Sequence, residues 1–184
     1  MKISIVIPLY IPTHLLTKIS EFLVPQIEAF DKYTQGYDLE VIYVPNGCDE
    51  RVFDVLQYLK EKHKKLNIKI HWRNEALGYT VATNIGISNS LGDFILLFND
   101  DCILLPQPVN LWINASLEPF KDEKVGIVTI HEQYCPYAED WFGVGYYLLL
   151  RKKMLDQIGI LDQSFGLGSC EDIDICLRAK QNGW

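Results

Sequence analysis

The segment after the first apolar run, Pro8-Leu9-Tyr10-Ile11-Pro12-Thr13, contains neither glycine nor lysine. A glycine-rich, basic loop of the kind that cradles phosphates with backbone amides and a lysine is therefore absent at that point. Positive charge is scarce throughout: 17 Lys and Arg stand against 24 Asp and Glu, for a net charge of −7. Proteins that grip nucleic-acid polymers rely on basic surfaces, so that class of partner is excluded. An acidic protein that binds phosphates needs a metal ion to mediate. Long hydrophobic runs are missing too. The apolar run Ile3–Ile7 is ended by Pro8, too soon for a signal-peptide core, and no transmembrane segment is expected. The five cysteines (Cys48, Cys102, Cys135, Cys170, Cys176) make no CxxC pair and are odd in number. Free thiols in a reducing cytoplasm fit this better than a disulfide framework. The four histidines also lack zinc-ligand spacing.

What is present is an ordinary globular composition, 48% hydrophobic and 22% charged, in 184 residues, the length of one domain. Short β-rich runs predict strands over Ile3–Ile7, Leu39–Val44, Ile68–Trp72, Phe94–Phe98 and Val125–Ile130, with a further strand over Val144–Leu150. Several are apolar at consecutive positions, as suits strands buried on both faces of a parallel sheet. Helical patterns cover Thr13–Tyr33, with Pro25 as a kink or break, then Glu50–Lys65 and Thr80–Ser90. Val52, Val55, Leu56 and Leu59 form the apolar stripe of the second, and Lys60 to Lys65 reads as its solvated end. Beyond Arg151 a short helix, a glycine-rich loop and a final helix are expected. This alternation predicts an α/β sandwich with a mostly parallel central sheet, which binds ligands at the carboxyl ends of its strands.

Three constellations stand near those ends. Phe94–Phe98 delivers Asn99-Asp100-Asp101 to the sheet edge. A chain with this many aspartates carries about one adjacent pair by chance, and Asn and Asp are ordinary turn residues. Position gives the triplet its interest, because Mg²⁺ or Mn²⁺ commonly joins one or two carboxylates to substrate phosphates. Gly166 to Arg178 holds Glu171 and Asp172 after a glycine-rich loop. Ser169 and Asp172 fit a capping pattern, and the predicted buried face carries Ile173, Cys176 and Leu177. Asp174 is placed to pair with Arg178, whereas Glu171 or Asp172 offers a general base, since repulsion and burial raise a carboxyl's pKa. Finally, Asn84 and Gly86 interrupt a helical pattern shortly after Asn74 to Gly78. They signal close approach of a ligand or of another piece of backbone.

Taken in order, Ile3 to Tyr10, Leu39 to Val44, Asn74 to Gly86, Gly92 to Asp101 and Gly159 to Gly183 resemble glycosyltransferase family 2, the inverting nucleotide-sugar transferases with a GT-A fold. The resemblance spans nearly the whole chain. It implies a nucleoside-diphosphate sugar donor, UDP-linked by preference, a glycan or other hydroxyl acceptor, and Mn²⁺ or Mg²⁺. Asp101 takes the place of the metal-binding carboxylate in the family's Asp-x-Asp motif, with Asn99 where the first aspartate usually stands. Asp172 matches the catalytic base, with Glu171 beside it. Pro8, Tyr10, Asn46, Asn74, Gly78, Asn84, Asn99 and Asp100 fall on the donor side, and Trp141, Phe142 and Gly145 on the acceptor side. Many relatives continue past a pair like Gly183-Trp184 into another strand and a histidine that completes the metal site. Two rival readings are a nucleotidyltransferase, disfavoured by the missing basic loop, and a non-catalytic sugar or nucleotide binder that kept the pocket.

Overall fold

The computed structural model describes residues 1–184. Its strands are β1 (Lys2–Leu9), β2 (Asp38–Pro45), β3 (Ile68–Ile70), β4 (Phe94–Phe98), β5 (Ile127–Thr129), β6 (Glu132–Cys135), β7 (Asp140–Gly143) and β8 (Tyr147–Arg151). The α-helices are α1 (Val24–Tyr33), α2 (Glu50–Lys62), α3 (Tyr79–Ser88), α4 (Leu111–Leu117), α5 (Lys152–Ile158) and α6 (Glu171–Gln181). Six strands form one sheet in the order β3-β2-β1-β4-β8-β5. β3, β2, β1 and β4 pair in parallel, and β8 runs antiparallel to both β4 and β5. The expected mostly parallel sheet is what forms. β6 and β7 make a separate two-stranded hairpin.

Consecutive apolar residues in β1, β2 and β4 exist because both faces of the sheet are covered. Ile5, Ile7, Val41, Tyr43, Leu96 and Phe98 point into a core closed by Phe30 of α1, Leu56 of α2 and Trp112 of α4. Val6, Ile42, Val44 and Leu97 point the other way, onto Ala82 of α3, Met154 of α5 and Ile175 of α6. Each such side chain removed from water contributes roughly 1.5–3 kcal/mol before the entropy of ordering is subtracted.

Several boundaries differ from expectation. The stretch Thr13–Tyr33 is not one helix: a 3₁₀ turn at Thr13–Leu15 and a π-helical segment at Ile19–Leu23 precede α1, which holds Pro25 in its first turn. Proline has no N–H to donate, so the regular ladder starts around it. α2 ends at Lys62, and its basic end is not merely solvated, because Lys62 meets Glu28 (3.0 Å) and Lys65 meets Asp31 (3.1 Å) beside α1. β3 stops at Ile70 rather than Trp72. Gly86 marks a close approach of backbone: a Cβ there would lie 2.3 Å from Val6 Cγ1, so its absence lets α3 sit tight on β1.

At the amino edge of the sheet the side chain of Glu40 is fully buried. It accepts hydrogen bonds from Ser4 Oγ (2.5 Å) and the Leu91 N–H (2.6 Å), and it pairs with Lys69 Nζ at 2.7 Å. Burial alone would raise its pKa, but the Lys69, Ser4 and Leu91 donors outweigh that and hold it below the usual value.

Candidate active site

At the carboxyl edge of β1, β2 and β4 lies a cleft of about 420 Å³. Pro8, Tyr10, Asn46, Gly78, Asn99 and Asp100 line it, together with Ala76, Tyr79 and Leu167. Six donor-side residues named from the sequence are thus brought into one cavity. Asn46 is 3% exposed and works as a bracket: its amide donates to the Leu9 carbonyl (3.0 Å) and accepts from the Leu77 N–H (3.0 Å), tying β1 to the loop before α3. Asn74 stands elsewhere, in a neighbouring groove with Phe53 and Trp72, where it accepts from Trp72 Nε1 at 2.9 Å. Asn84 is buried inside α3, and its amide is engaged twice with the Leu161 main chain (2.7 and 3.1 Å). Packing against backbone, rather than contact with a donor, explains that residue.

The two aspartates after β4 have different situations. Asp100 accepts from Lys18 Nζ (2.9 Å) and from the Tyr10 N–H (3.1 Å), so both its oxygens are engaged. Asp101 is exposed, and the one hydrogen bond its side chain makes is accepted from the Cys102 thiol at 3.9 Å. Burial and the Asp101 charge together push that thiol up to about 11. Beside them Asn99 Oδ1 is buried with no partner. Asp101 is not among the residues lining the cleft; it follows Asp100 on the exposed side of the loop. The loop still fits a hard divalent ion, with an exposed carboxylate at Asp101 and the unpartnered amide oxygen of Asn99 in the lining. No group of three or more His, Cys, Asp or Glu could hold a metal unaided. Mg²⁺-type sites usually need only one or two protein carboxylates, with water and diphosphate oxygens completing the shell.

The loop before α6 folds back against the start of α3. The Tyr79 N–H donates to the Leu167 carbonyl at 2.7 Å. Gly78, at φ +80°, would carry a Cβ 2.7 Å from that same carbonyl oxygen, so a larger residue cannot sit there. Inside this contact the Tyr79 hydroxyl donates to the Gly145 carbonyl (3.1 Å), and the Gly145 N–H donates to Asp172 Oδ2 (3.0 Å). Asp172 Oδ1 accepts from the Ile173 N–H at 2.9 Å. One residue, Gly145, therefore links Tyr79 in the cleft wall to Asp172 through its carbonyl and its N–H. Burial, and next the charge of Glu171, keep the Tyr79 phenol well above its ordinary value, so it stays a donor. Glu171 is 9% exposed, with Oε2 unpartnered. Burial chiefly, with the Asp172 charge added, raises its pKa.

α6 differs in detail from the expected pattern. Its N-cap is Cys170, in left-handed backbone at φ +69° with no side-chain cap, and Ser169 lies outside the helix. The buried face carries Glu171, Ile175, Cys176 and Ala179, while Ile173 and Leu177 are half-exposed. The helix is rotated because Ile175 and Ala179 share the face that begins with Glu171. Asp174 does pair with Arg178, at 2.6 Å. On the acceptor side, Gly145 touches Asp172, whereas Trp141 and Phe142 lie on β7 over a separate groove of about 300 Å³. Tyr79, Leu167 and Lys18 are the site residues that sequence reasoning missed. Gly78 was the available signal for Tyr79, since a glycine directly before a helix marks a first turn that packs closely on other backbone.

Comparison with known proteins agrees with this geometry. Over 96 residues the chain is 32% identical to a dolichyl N-acetyl-alpha-D-glucosaminyl phosphate 3-beta-D-2,3-diacetamido-2,3-dideoxy-beta-D-glucuronosyltransferase from Methanococcus voltae, covering 52% of this chain and 28% of that one. Among solved structures, GalNAc-T7 with UDP, GalNAc and Mn²⁺ superposes with a TM-score of 0.79 at 14% identity, over 100% of this chain and 41% of that one. The mannosyltransferase PcManGT from Pyrobaculum calidifontis, in complex with GDP-Man and Mn²⁺, gives 0.72 at 16% identity, over 99% and 52%. These likenesses show the GT-A fold, and the chain spans about half or less of each relative's length. No helix is long and apolar enough to cross a membrane. The family model for glycosyl transferase family 2 matches residues 4–157, most of the sheet and the whole Asn99–Asp101 loop, and the chain belongs to that family.

Proposed function

We propose that residues 1–184 form one GT-A domain, the core of an inverting glycosyltransferase. It moves a sugar from a nucleoside-diphosphate donor, UDP-linked by preference, to an acceptor hydroxyl. The observation that carries this reading is the juxtaposition at one sheet edge: a donor-sized cleft that ends on Asn99 and Asp100, the exposed carboxylate of Asp101 next in the chain, and Asp172 joined to Tyr79 of the cleft wall through Gly145. The base and ribose fit between Pro8, Tyr10 and Asn46, and the diphosphate lies toward Asn99 and Asp101. A bound Mn²⁺ or Mg²⁺ at Asp101 would offset the charge of the diphosphate, and GalNAc-T7 and PcManGT, which share the fold, are both complexes with Mn²⁺.

In the reaction the acceptor oxygen attacks the anomeric carbon from the face opposite the diphosphate. Asp172 takes the acceptor proton as the new C–O bond forms. The bond from carbon to phosphate oxygen breaks, and the nucleoside diphosphate leaves with the electron pair. The Gly145 N–H and the Tyr79 hydroxyl behind it fix the carboxylate's direction. Glu171 stays beside it as a second carboxyl, and Lys18 keeps Asp100 engaged in an ion pair, leaving Asp101 as the carboxylate open to the metal. The free state of all five cysteines supports placement in a reducing cytoplasm. Asn99, standing where the family usually has an aspartate, favours a second reading as a sugar or nucleotide binder without turnover. A panel of UDP-, GDP- and other nucleotide sugars, scored as release of free nucleotide with Mn²⁺ and with chelator, separates the two. Release with none of them would leave only the binder.

A further inference from the structure

Gln26 lies on the buried face of α1, alongside Ile27 and Phe30, and is 1% exposed. An apolar side chain of the same length would fill that place, and a polar one costs stability there unless its donors and acceptor are matched. The Gln26 amide is matched completely. Its Nε2 group donates one hydrogen to the Asn99 carbonyl (2.9 Å) and the other to the Cys102 carbonyl (2.8 Å). Its Oε1 accepts from the Tyr43 hydroxyl at 2.8 Å. This arrangement fixes the direction of the amide, since both carbonyls can only accept and the NH₂ must face them. Tyr43 is itself fully buried, and burial, with the Asp100 charge adding to it, keeps its phenol well above the usual value, so it remains the donor.

The two carbonyls are the ends of one β-turn. Asp100 and Asp101 are its central residues, and the closing bond from the Cys102 N–H to the Asn99 carbonyl is 3.3 Å, longer than the usual upper end of about 3.2 Å. The Asn99 N–H reaches the Tyr146 carbonyl at 3.3 Å as well. Gln26 therefore supplies the two shortest bonds to the main chain of this turn, one at each end. What the turn presents depends on its orientation. Asp100 faces inward to Lys18 Nζ and the Tyr10 N–H, while Asp101, one residue on, is exposed. Rolling the turn about its ends would pull Asp100 off Lys18 and redirect the Asp101 carboxylate.

We propose that Gln26 is a positioning residue for the reaction: from inside the core it clamps both ends of the Asn99–Cys102 turn and so aims Asp101 at the metal and Asp100 at the cleft. This deepens the transferase reading and rests on it for the metal at Asp101, whereas the clamp itself can be read without any ligand. The test compares wild type with Gln26→Met, which keeps the length and removes both donors, and Gln26→Asn, whose amide is one methylene too short to span the turn. Ser4→Ala, at the opposite edge of the sheet, is the control for loss of a buried hydrogen bond alone. In the protein without metal or nucleotide, hydrogen exchange of the Cys102 amide should be about tenfold faster in both Gln26 variants and unchanged in the control. With UDP present, Mn²⁺ affinity, read from the paramagnetic resonance of the free ion, should fall roughly 10–100-fold in both and stay within about twofold in the control. Should Gln26→Met fail to fold, as judged by urea titration, Gln26→Asn carries both measurements. Exchange at Cys102 as slow as in wild type, or faster exchange with unchanged Mn²⁺ affinity, would overturn the proposal. Absence of Mn²⁺ binding in the wild type itself would refute the metal reading of Asp101, and the exchange result would then still decide the clamp, so the two failures are distinguishable.

Discussion

Asp172→Asn is the substitution that most directly tests the proposed chemistry. The side chain keeps its size, but the site contains a complication that the change must meet. Both carboxylate oxygens accept from main-chain N–H groups, Oδ2 from Gly145 at 3.0 Å and Oδ1 from Ile173 at 2.9 Å. An amide offers one oxygen and one NH₂, so one of the two N–H groups loses its acceptor. Leaving a partly buried donor unsatisfied costs about 1–3 kcal/mol. The amide oxygen will turn toward Gly145 or toward Ile173, and either choice leaves the fold standing if the domain has ordinary stability of about 5–15 kcal/mol. Catalysis should suffer far more. Losing a general base typically lowers the rate 10²–10⁴-fold, equivalent to about 3–5 kcal/mol of barrier. The assay is a paired one: urea denaturation for stability, and nucleotide release with acceptor for rate, with donor affinity measured separately. Donor affinity within about threefold of wild type, a stability loss near 1–3 kcal/mol and a rate loss of at least a hundredfold are expected. A variant that is destabilised yet transfers sugar at nearly the wild-type rate would refute the assignment of the base.

The same geometry sets the outcome of other changes. Asp101→Ala should abolish the dependence of UDP binding on Mn²⁺, read by calorimetric titration with and without chelator; unchanged metal dependence would move the metal elsewhere. Tyr79→Phe removes the hydroxyl that holds Gly145, so kcat should fall while KM for the donor changes little, at about 0.5–1.5 kcal/mol in stability. Glu40→Gln removes the negative charge that faces Lys69, whose side chain is partly exposed, and a loss of about 1.5–3 kcal/mol at pH 7 is expected. Because the folded pKa of Glu40 is lowered, its contribution is present above the unfolded carboxyl pKa of about 4.3 and is lost as pH falls through the folded value. The difference between variant and wild type should therefore shrink in acid denaturation. Glu171 has the opposite sign: its pKa is raised, the folded state binds the proton more tightly, and its ionised form weakens the fold as pH climbs. Glu171→Gln should raise the melting temperature at pH 7 and leave it unchanged well below pH 4.3.

The sheet was legible because its central strands carry apolar residues at consecutive positions. Ile5 to Ile7 and Val41 to Val44 can be buried only between two layers of helices, and the residues just past their ends then have to lie at the ligand edge. Pro8, Tyr10, Asn46 and Asp100 were readable for that reason. The hairpin β6–β7 gave no such signal, since Glu132, Gln133 and Tyr134 are all exposed and show no alternation. α4 is seven residues long, too short for its periodicity to stand out from the surrounding loop. The face of α6 was misjudged because a glutamate heads its buried stripe, and a carboxylate at a helix start reads by default as a solvated partner of the helix dipole. Tyr79, Leu167 and Lys18 reach the site from helices and a loop rather than from strand ends. Their arrival depends on tertiary contacts that no local pattern encodes, such as the Tyr79 N–H bond to the Leu167 carbonyl.

Burial on both faces has a further consequence for how the strands find one another. In a half-buried sheet a slip by one residue exposes the apolar face, and that penalty defines the alignment. β1 and β2 have no polar face to expose, so hydrophobic burial distinguishes poorly between one pairing and its neighbours. Ser4 and Glu40 are opposite each other in the observed pairing, and Glu40 reaches Lys69 on the next strand at 2.7 Å. Shifting either strand would separate the hydroxyl from the carboxylate and strand an ion inside the protein. The buried charge thus serves as an alignment key at the amino edge: it selects one register among near-equals, and in doing so it fixes how far each strand projects at the opposite edge, where Tyr10, Asn46 and Asp100 line a single cleft.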